Sequence, residues 1–292
     1  MKLPLQRRPL LPPLLLGSAL LLAACGPGRA DAPASAAGGR RIVSLAPNLT
    51  EILFALDLGD QVVGVTDFCN YPEEAAAKPR IGGFVNPNLE AILELDPDLA
   101  VATPNIGNRD AVLRLESLGV EFLILETPDL EGLYGAIRSI AAHAGVAERG
   151  AALVARMTGE VDRIRSRVSG EPPTPALMVF AHDPLVVAGE GTFFGDMMTI
   201  AGGRNVADAA RGRFPHFSLE EVVRAGPEVI IETVMGAGGE PDVAFWERFE
   251  TIPAVRDGRI CTPTPDLVLR PGPRATAGLA ELAACLHPPG PS

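Results

Sequence analysis

The sequence predicts an α/β protein: two parallel-sheet lobes joined by one long backbone helix, with a cleft between the lobes. Three observations predict it. From residue 41 to 145, short apolar runs alternate with amphipathic stretches, the rhythm of strands joined by crossover helices. Residues 147–168 contain no Pro and two Gly, and Leu153, Val154, Met157, Val161, Ile164 and Val168 recur at helical spacing. After Pro172-Pro173-Thr174-Pro175 the alternation resumes and continues to Leu286.

The elements follow in order. Arg41–Leu45 is an apolar run read as a buried strand, and Leu49–Asp57 is a helix that starts after Pro47-Asn48. Gln61–Val65 is the second strand. Leu89–Glu94 is a short helix closed by Asp96-Pro97, and Asp98–Ala102 is a strand. Arg109–Ser117 is amphipathic and stops at Gly119. Val120–Leu125 is a strand, and Leu130–His143 is a helix ending at Gly145. The second half has strands at Ala176–Phe180, Glu228–Glu232 and Arg259–Thr262. Its helices are Phe194–Ala201, Leu219–Arg224, Val243–Phe249 and Arg274–Leu286. No residue-by-residue repeat links the halves. The organisation expected is a leader at 1–24, a tether at 25–40, an N-terminal lobe at 41–145, a linking helix at 146–171 and a C-terminal lobe at 172–288.

The leader has Lys2, Arg7 and Arg8 ahead of an apolar stretch from Leu10 to Ala24. That stretch is roughly 15 residues, too short to span a bilayer comfortably. It ends Leu22-Ala23-Ala24-Cys25, small residues before a cysteine, which resembles the lipobox of a bacterial lipoprotein. Processing would leave Cys25 as a lipidated N-terminus. Arg29–Gly39 is mostly Ala, Pro, Ser and Gly, a composition unable to bury a core. Losing the leader takes 25 basic residues to 22 against 36 acidic ones, a net charge of −14. Such a surface repels nucleic acid, so no nucleic-acid partner is expected. Beyond Cys25 the cysteines are Cys69, Cys261 and Cys285, an odd number without C-x-x-C spacing. All three are read as packing residues, and no metal site is expected.

Longer motifs carry a resemblance. Arg41-Ile42-Val43-Ser44-Leu45-Ala46-Pro47-Asn48-Leu49-Thr50-Glu51-Ile52 is similar to the opening of the helical-backbone substrate-binding proteins of ABC importers, which serve cobalamin, haem and ferric siderophores. Gly64-Val65-Thr66-Asp67 with Tyr71-Pro72, Pro79-Arg80-Ile81-Gly82-Gly83, Asn88-Leu89-Glu90-Ala91-Ile92 and Asp96-Pro97-Asp98-Leu99 continue it. So do Ala201-Gly202-Gly203-Arg204-Asn205-Val206 and Ser218-Leu219-Glu220-Glu221-Val222 through Pro227-Glu228-Val229-Ile230. The matches run in order through residues 41–286 and look most like the cobalamin-binding branch. Two departures stand out. The single tryptophan, Trp246, falls on a helix expected inside the second lobe rather than at the cleft. Cys285 fits one end of a disulfide found in close relatives, but Ala201 stands where its partner would be.

The resemblance implies a binding protein with no catalytic residues and no resident cofactor, its cargo being cobalamin or a related metal chelate. Ligand sites favour crevices between domains, and loops at the carboxyl ends of parallel strands gather there. Those loops carry Pro47, Asn48, Phe68, Tyr71, Phe84, Thr103 and Asn105 in the first lobe. In the second they carry Glu190, Phe193, Phe214, His216, Phe217 and Leu267. The set is aromatic-rich in a chain only 5% aromatic, which suits a flat macrocycle. His182-Asp183-Pro184 reads as a turn. Glu90 and Glu220, at the starts of short helices, correspond to acids that the family directs at arginines of the importer's membrane subunits. The implied partners are the permease and ATPase subunits, with a membrane reached through the lipid. The uninterrupted helix implies a small closure on binding.

Enzyme chemistry finds little footing. Glu73-Glu74 and Glu220-Glu221 are adjacent rather than opposed, no G-x-S-x-G occurs, and Gly236–Gly239 lacks the lysine of a phosphate loop. The rival cargo is a ferric siderophore, for which Arg109, Arg211, Arg213 and Arg270 are the available cations, or haem.

Overall fold

A computed structural model describes residues 39–104, 109–233 and 240–288. The leader, Cys25, most of the tether, Asn105 and the Gly236–Gly239 stretch lie outside the described residues.

The first lobe opens with strand β1 (Ile42–Ser44), helix α1 (Pro47–Ala55) and β2 (Val62–Val65), then short helix α2 (Glu73–Ala76). Helix α3 (Leu89–Glu94), β3 (Leu99–Ala102), α4 (Arg109–Ser117), β4 (Glu121–Ile124) and α5 (Leu130–His143) follow. Its sheet is wholly parallel in the order β2-β1-β3-β4. Period-two alternation divides the strands between two cores. Ile42, Leu99 and Val101 face one side, and Val43, Leu45 and Ala100 the other.

Helix α6 (Ala147–Val168) spans the range its apolar spacing predicts, and Leu153, Val154, Met157, Val161, Ile164 and Val168 are all buried. Burying six such side chains is worth on the order of 10 kcal/mol before the entropy of ordering the helix. They join a continuous core that reaches from Ile42 and Leu53 of the first lobe to Met198 and Leu282 of the second.

The second lobe contains β5 (Thr174–His182), β6 (Leu185–Val187), α7 (Phe193–Ile200), β7 (Gly203–Asn205), α8 (Leu219–Ala225) and β8 (Val229–Glu232). Helix α9 (Pro253–Arg256), β9 (Ile260–Cys261), α10 (Pro265–Val268) and α11 (Ala275–Leu286) complete it. The sheet order is β6-β5-β8-β9, with β7 beside the start of β5. One strand departs from the parallel expectation. β6 folds back antiparallel on β5 through the His182-Asp183-Pro184 turn, as a two-residue connection requires. Residues 243–246 form a single 3-10 turn, not the longer helix expected, and Trp246 on it is fully buried.

The cysteine expectation is corrected. Cys261 at the end of β9 and Cys285 on α11 are disulfide-linked, their Cα atoms 6.0 Å apart. The strand ends against the last helix, so the partner of Cys285 comes from β9 rather than from position 201. Cys69 is a buried free thiol, 3.1 Å from the hydroxyls of both Thr50 and Thr66.

Candidate ligand cleft

The first-lobe loops present fewer side chains outward than expected. Pro47 starts α1 half-buried. Asn48 is buried, and its amide donates to the Pro271 carbonyl at 3.2 Å, so it ties two segments together and is not free for a ligand. The turn after β2 is braced by Arg80, whose guanidinium donates to the carbonyls of Thr66 (2.7 Å) and Cys69 (3.0 Å). This turn pushes Phe68 outward to 43% exposure. Tyr71 is 46% exposed on one side, while the Arg274 guanidinium lies 3.9 Å from its ring centroid on the other. Phe84 is half-buried against the main core, and Thr103 is half-buried at the end of β3.

In the second lobe, residues 213–217 run alongside β6. The Gly189 N–H donates to Arg213 O, Val187 N–H to Pro215 O and Phe217 N–H to Leu185 O. Alternation along this ribbon leaves Phe214 and His216 exposed and turns Phe217 inward onto the second-lobe core, which removes Phe217 from the cleft set. Phe214 rests on Phe180 and Phe194, with ring centroids 5.7 and 6.1 Å away. Phe193 is also corrected: as the first residue of α7 it is buried in the core beside Phe194. Glu190 is exposed and Leu267, on α10, half-buried.

The two lobes are fastened by a buried ion cluster that the sequence reading missed. Glu51 of α1 has a side chain only 1% exposed. Arg274, just before α11, grips it with two hydrogen bonds, Nε to Oε2 at 2.9 Å and a terminal nitrogen to Oε1 at 2.6 Å. The Glu51 contact holds the Arg274 guanidinium above its ordinary pKa. Arg270 approaches Glu51 at 3.4 Å, pairs with Asp266 at 2.8 Å and donates to Asn70 at 2.6 Å. Asn70 in turn donates to Asp266 at 3.1 Å. Arg270 is therefore occupied, and it drops out of the cations available to an anionic cargo. One legible signal existed: Glu51 is the only charged residue of α1.

Glu90 and Glu220 are both exposed at the second position of their helices. Asn88 caps α3 by accepting from the N–H groups of Glu90 and Ala91. Ser218 and Glu221 form the reciprocal capping box on α8. Superposed by these caps, Asn88–Leu99 and Ser218–Val229 share one plan. Each runs cap, Leu, Glu, a buried aliphatic (Ile92 or Val222), an exposed aliphatic (Leu93 or Val223), a positive-φ residue (Asp96 or Gly226), Pro, acid and strand. A local repeat does link the halves at this one place, against the expectation of none.

A periplasmic binding protein model matches residues 42–267. The chain belongs to the periplasmic binding protein family. This periplasmic binding protein is 25% identical to a vitamin B12-binding protein of Vibrio campbellii, over 88% of this chain and 92% of the relative. It is 30% identical to YvrC of Bacillus subtilis, an ABC transporter substrate-binding lipoprotein, over 85% of this chain and 80% of that one. Among solved structures, the haem-binding RhuT of Roseiflexus superposes with a TM-score of 0.76 at 31% identity, covering 86% of this chain and 98% of that one. The B12-binding BtuF of Vibrio cholerae gives 0.74 at 26%, covering 85% and 96%. The protein is a binder of solutes outside the cytoplasm and not an enzyme.

Proposed function

We propose that the protein is the receptor of an ABC importer and captures cobalamin or a related corrinoid, tethered to its membrane through lipid on Cys25. The exposed aromatics carry the ligand class. Phe68, Tyr71 and Phe214 are each more than 40% exposed although large aromatic rings normally bury. Phe68 and Tyr71 follow the carboxyl end of β2, and Phe214 stands on the ribbon that runs alongside β6. Flat faces held apart on two lobes suit a macrocycle, which gains stacking area without directional bonds. The B12-binding relatives in Vibrio favour the same cargo.

Occupation of Arg270 by Glu51, Asp266 and Asn70 removes one of the four cations a ferric siderophore would draw on and leaves Arg109, Arg211 and Arg213. Haem is the second reading. It is favoured by the exposed His216 beside Phe214, an imidazole able to reach an iron, and by the haem-binding RhuT among the similar structures. The repeated helix starts of α3 and α8 support docking of the two lobes on importer subunits, with Glu90 and Glu220 as the paired acids.

Calorimetric titration of the mature protein with cyanocobalamin, haemin and a ferric siderophore tests the cargo. Cyanocobalamin is expected to bind with 1:1 stoichiometry, and Phe214→Ala to weaken it by about tenfold. Binding of haemin with none of cyanocobalamin would overturn the corrinoid reading and favour the second.

A further inference from the structure

Glu232 occupies a core position. Along β8, Val229 and Ile231 join the core shared by both lobes, and Ile230 joins the separate core around Trp246. Alternation puts Glu232 on the Ile230 side, where its side chain is 1% exposed. One carboxyl oxygen accepts the Trp246 indole N–H at 2.8 Å. The other lies 2.9 Å from His182 Nε2, at the end of neighbouring strand β5. The imidazole stacks on Phe245, centroids 4.1 Å apart and planes 9° off parallel, and meets Trp246 edge-on at 5.8 Å. A carboxyl from β8, an imidazole from β5 and two rings of the 243–246 turn thus form one cluster at the carboxyl ends of the strands.

No lysine or arginine pairs with Glu232 among the described residues. From the 240–249 segment, Asp242 faces it with both its backbone N–H and its carboxylate. Arg248 sits over the Phe245 and Phe249 rings, 4.9 Å from each centroid. On β5 the facing group is His182, followed by the exposed Asp183. Residues 234–239 are Val-Met-Gly-Ala-Gly-Gly and carry no ionisable side chain. A carboxylate in such a place must take up a proton or draw a cation. His182 Nε2 has no hydrogen-bond partner of good geometry, which leaves a ring nitrogen waiting beside the carboxyl.

We propose that Glu232 and His182 share a single proton at neutral pH and act as a pH-sensitive latch that seats the Asp242–Trp246 segment on the ends of β5 and β8. Burial pushes the Glu232 carboxyl up to about 7; the hydrogen bonds from the Trp246 indole and the Asp242 backbone oppose it, and the Asp242 carboxylate adds a smaller push upward. Burial pushes the His182 imidazole below its ordinary value, with Asp242 opposing. Below the Glu232 midpoint the neutral carboxyl donates its O–H to the neutral imidazole, and both groups are satisfied. Above it the proton leaves, and a desolvated anion faces a neutral imidazole, which can donate one N–H but supplies no positive charge to offset the burial. The raised carboxyl therefore favours the seated form at low pH and loses that effect as pH rises through about 7. The depressed imidazole acts in the other direction, its contribution falling away as pH drops below its ordinary range.

Trp246 is the only tryptophan of the chain, so indole emission reads this cluster alone. Emission and iodide quenching of the mature protein, without ligand, are measured from about pH 5.5 to about 8.5, a window placed around the Glu232 carboxyl. The expected wild-type result is one transition centred near pH 7, with red-shifted and more quenchable emission on the alkaline side. Glu232→Gln keeps an acceptor for the indole but cannot titrate, so the transition near pH 7 should be lost, leaving at most the change at lower pH that belongs to His182. Asp242→Asn should retain the transition and move it to lower pH. A flat wild-type curve overturns the latch, and so does a transition near pH 7 that survives in Glu232→Gln. The wild-type curve decides by itself if the Gln variant fails to fold.

Discussion

Glu51→Gln is the sharpest test of how the lobes are held together. The substitution keeps the shape of the side chain and removes the charge to which Arg274 makes two bonds and Arg270 a longer contact. Removing one partner of a buried pair typically costs about 3–5 kcal/mol, because the other charge stays behind unpaired. Here the two arginines keep 16% and 22% exposure, and Gln still accepts a hydrogen bond. Water and the Asp266 carboxylate relieve part of the penalty, so about 3 kcal/mol is expected, the low end of that range. For a body of this size that is a fall in Tm of about 6–12 °C. Chemical and thermal denaturation of the mature protein measure it. A double-mutant cycle with Arg274→Gln should show coupling above about 1 kcal/mol, since the second change removes the orphaned charge. The deficit should persist in about 1 M salt, because screening acts on exposed pairs and hardly on desolvated ones. A loss below about 1 kcal/mol, or a cycle that closes additively, would show the cluster to be no more than a surface pair.

Three further outcomes are expected. Charge reversal of Glu90 and Glu220 together should abolish transport in cells while leaving cargo affinity of the purified protein unchanged; a drop in affinity would place these acids in the cleft instead of on the docking face. Replacing Cys261 and Cys285 by Ser should lower stability by about 3 kcal/mol, the loop entropy released when a crosslink of this span is removed, and equal denaturation midpoints with and without reductant would contradict it. Small-angle scattering with and without cargo should give nearly superimposable curves, because α6 packs on both lobes and the Glu51 cluster joins them a second time; a large compaction on binding would refute that rigidity.

What could be read from the sequence divides along the range of the interactions involved. The span of α6 and the ends of α3 and α5 were legible, because apolar spacing and a following Gly or Asp-Pro are local signals. β6 was not, because its three residues form a strand only by folding back on β5. The candidate cleft shows the same split. Loop positions were found, but which side chain faces out depends on register. Phe214 and Phe217 lie three residues apart on one ribbon, so the pleat sends them to opposite faces. Asn48 looked free until Pro271, 223 residues away, supplied a carbonyl acceptor.

Glu51 and Glu232 complete the case. Each is a lone acid in an apolar element, α1 and β8, and each is buried. Their fates differ because of what the distant chain brings. Glu51 meets two guanidiniums, groups that stay charged at any ordinary pH, and so serves as a permanent fastening. Glu232 meets an imidazole and an indole, neither of which supplies a fixed positive charge, and so its own charge must vary. A local pattern can flag a buried acid in either element. Whether that acid becomes a clamp or a proton site is decided by partners that only the folded chain assembles.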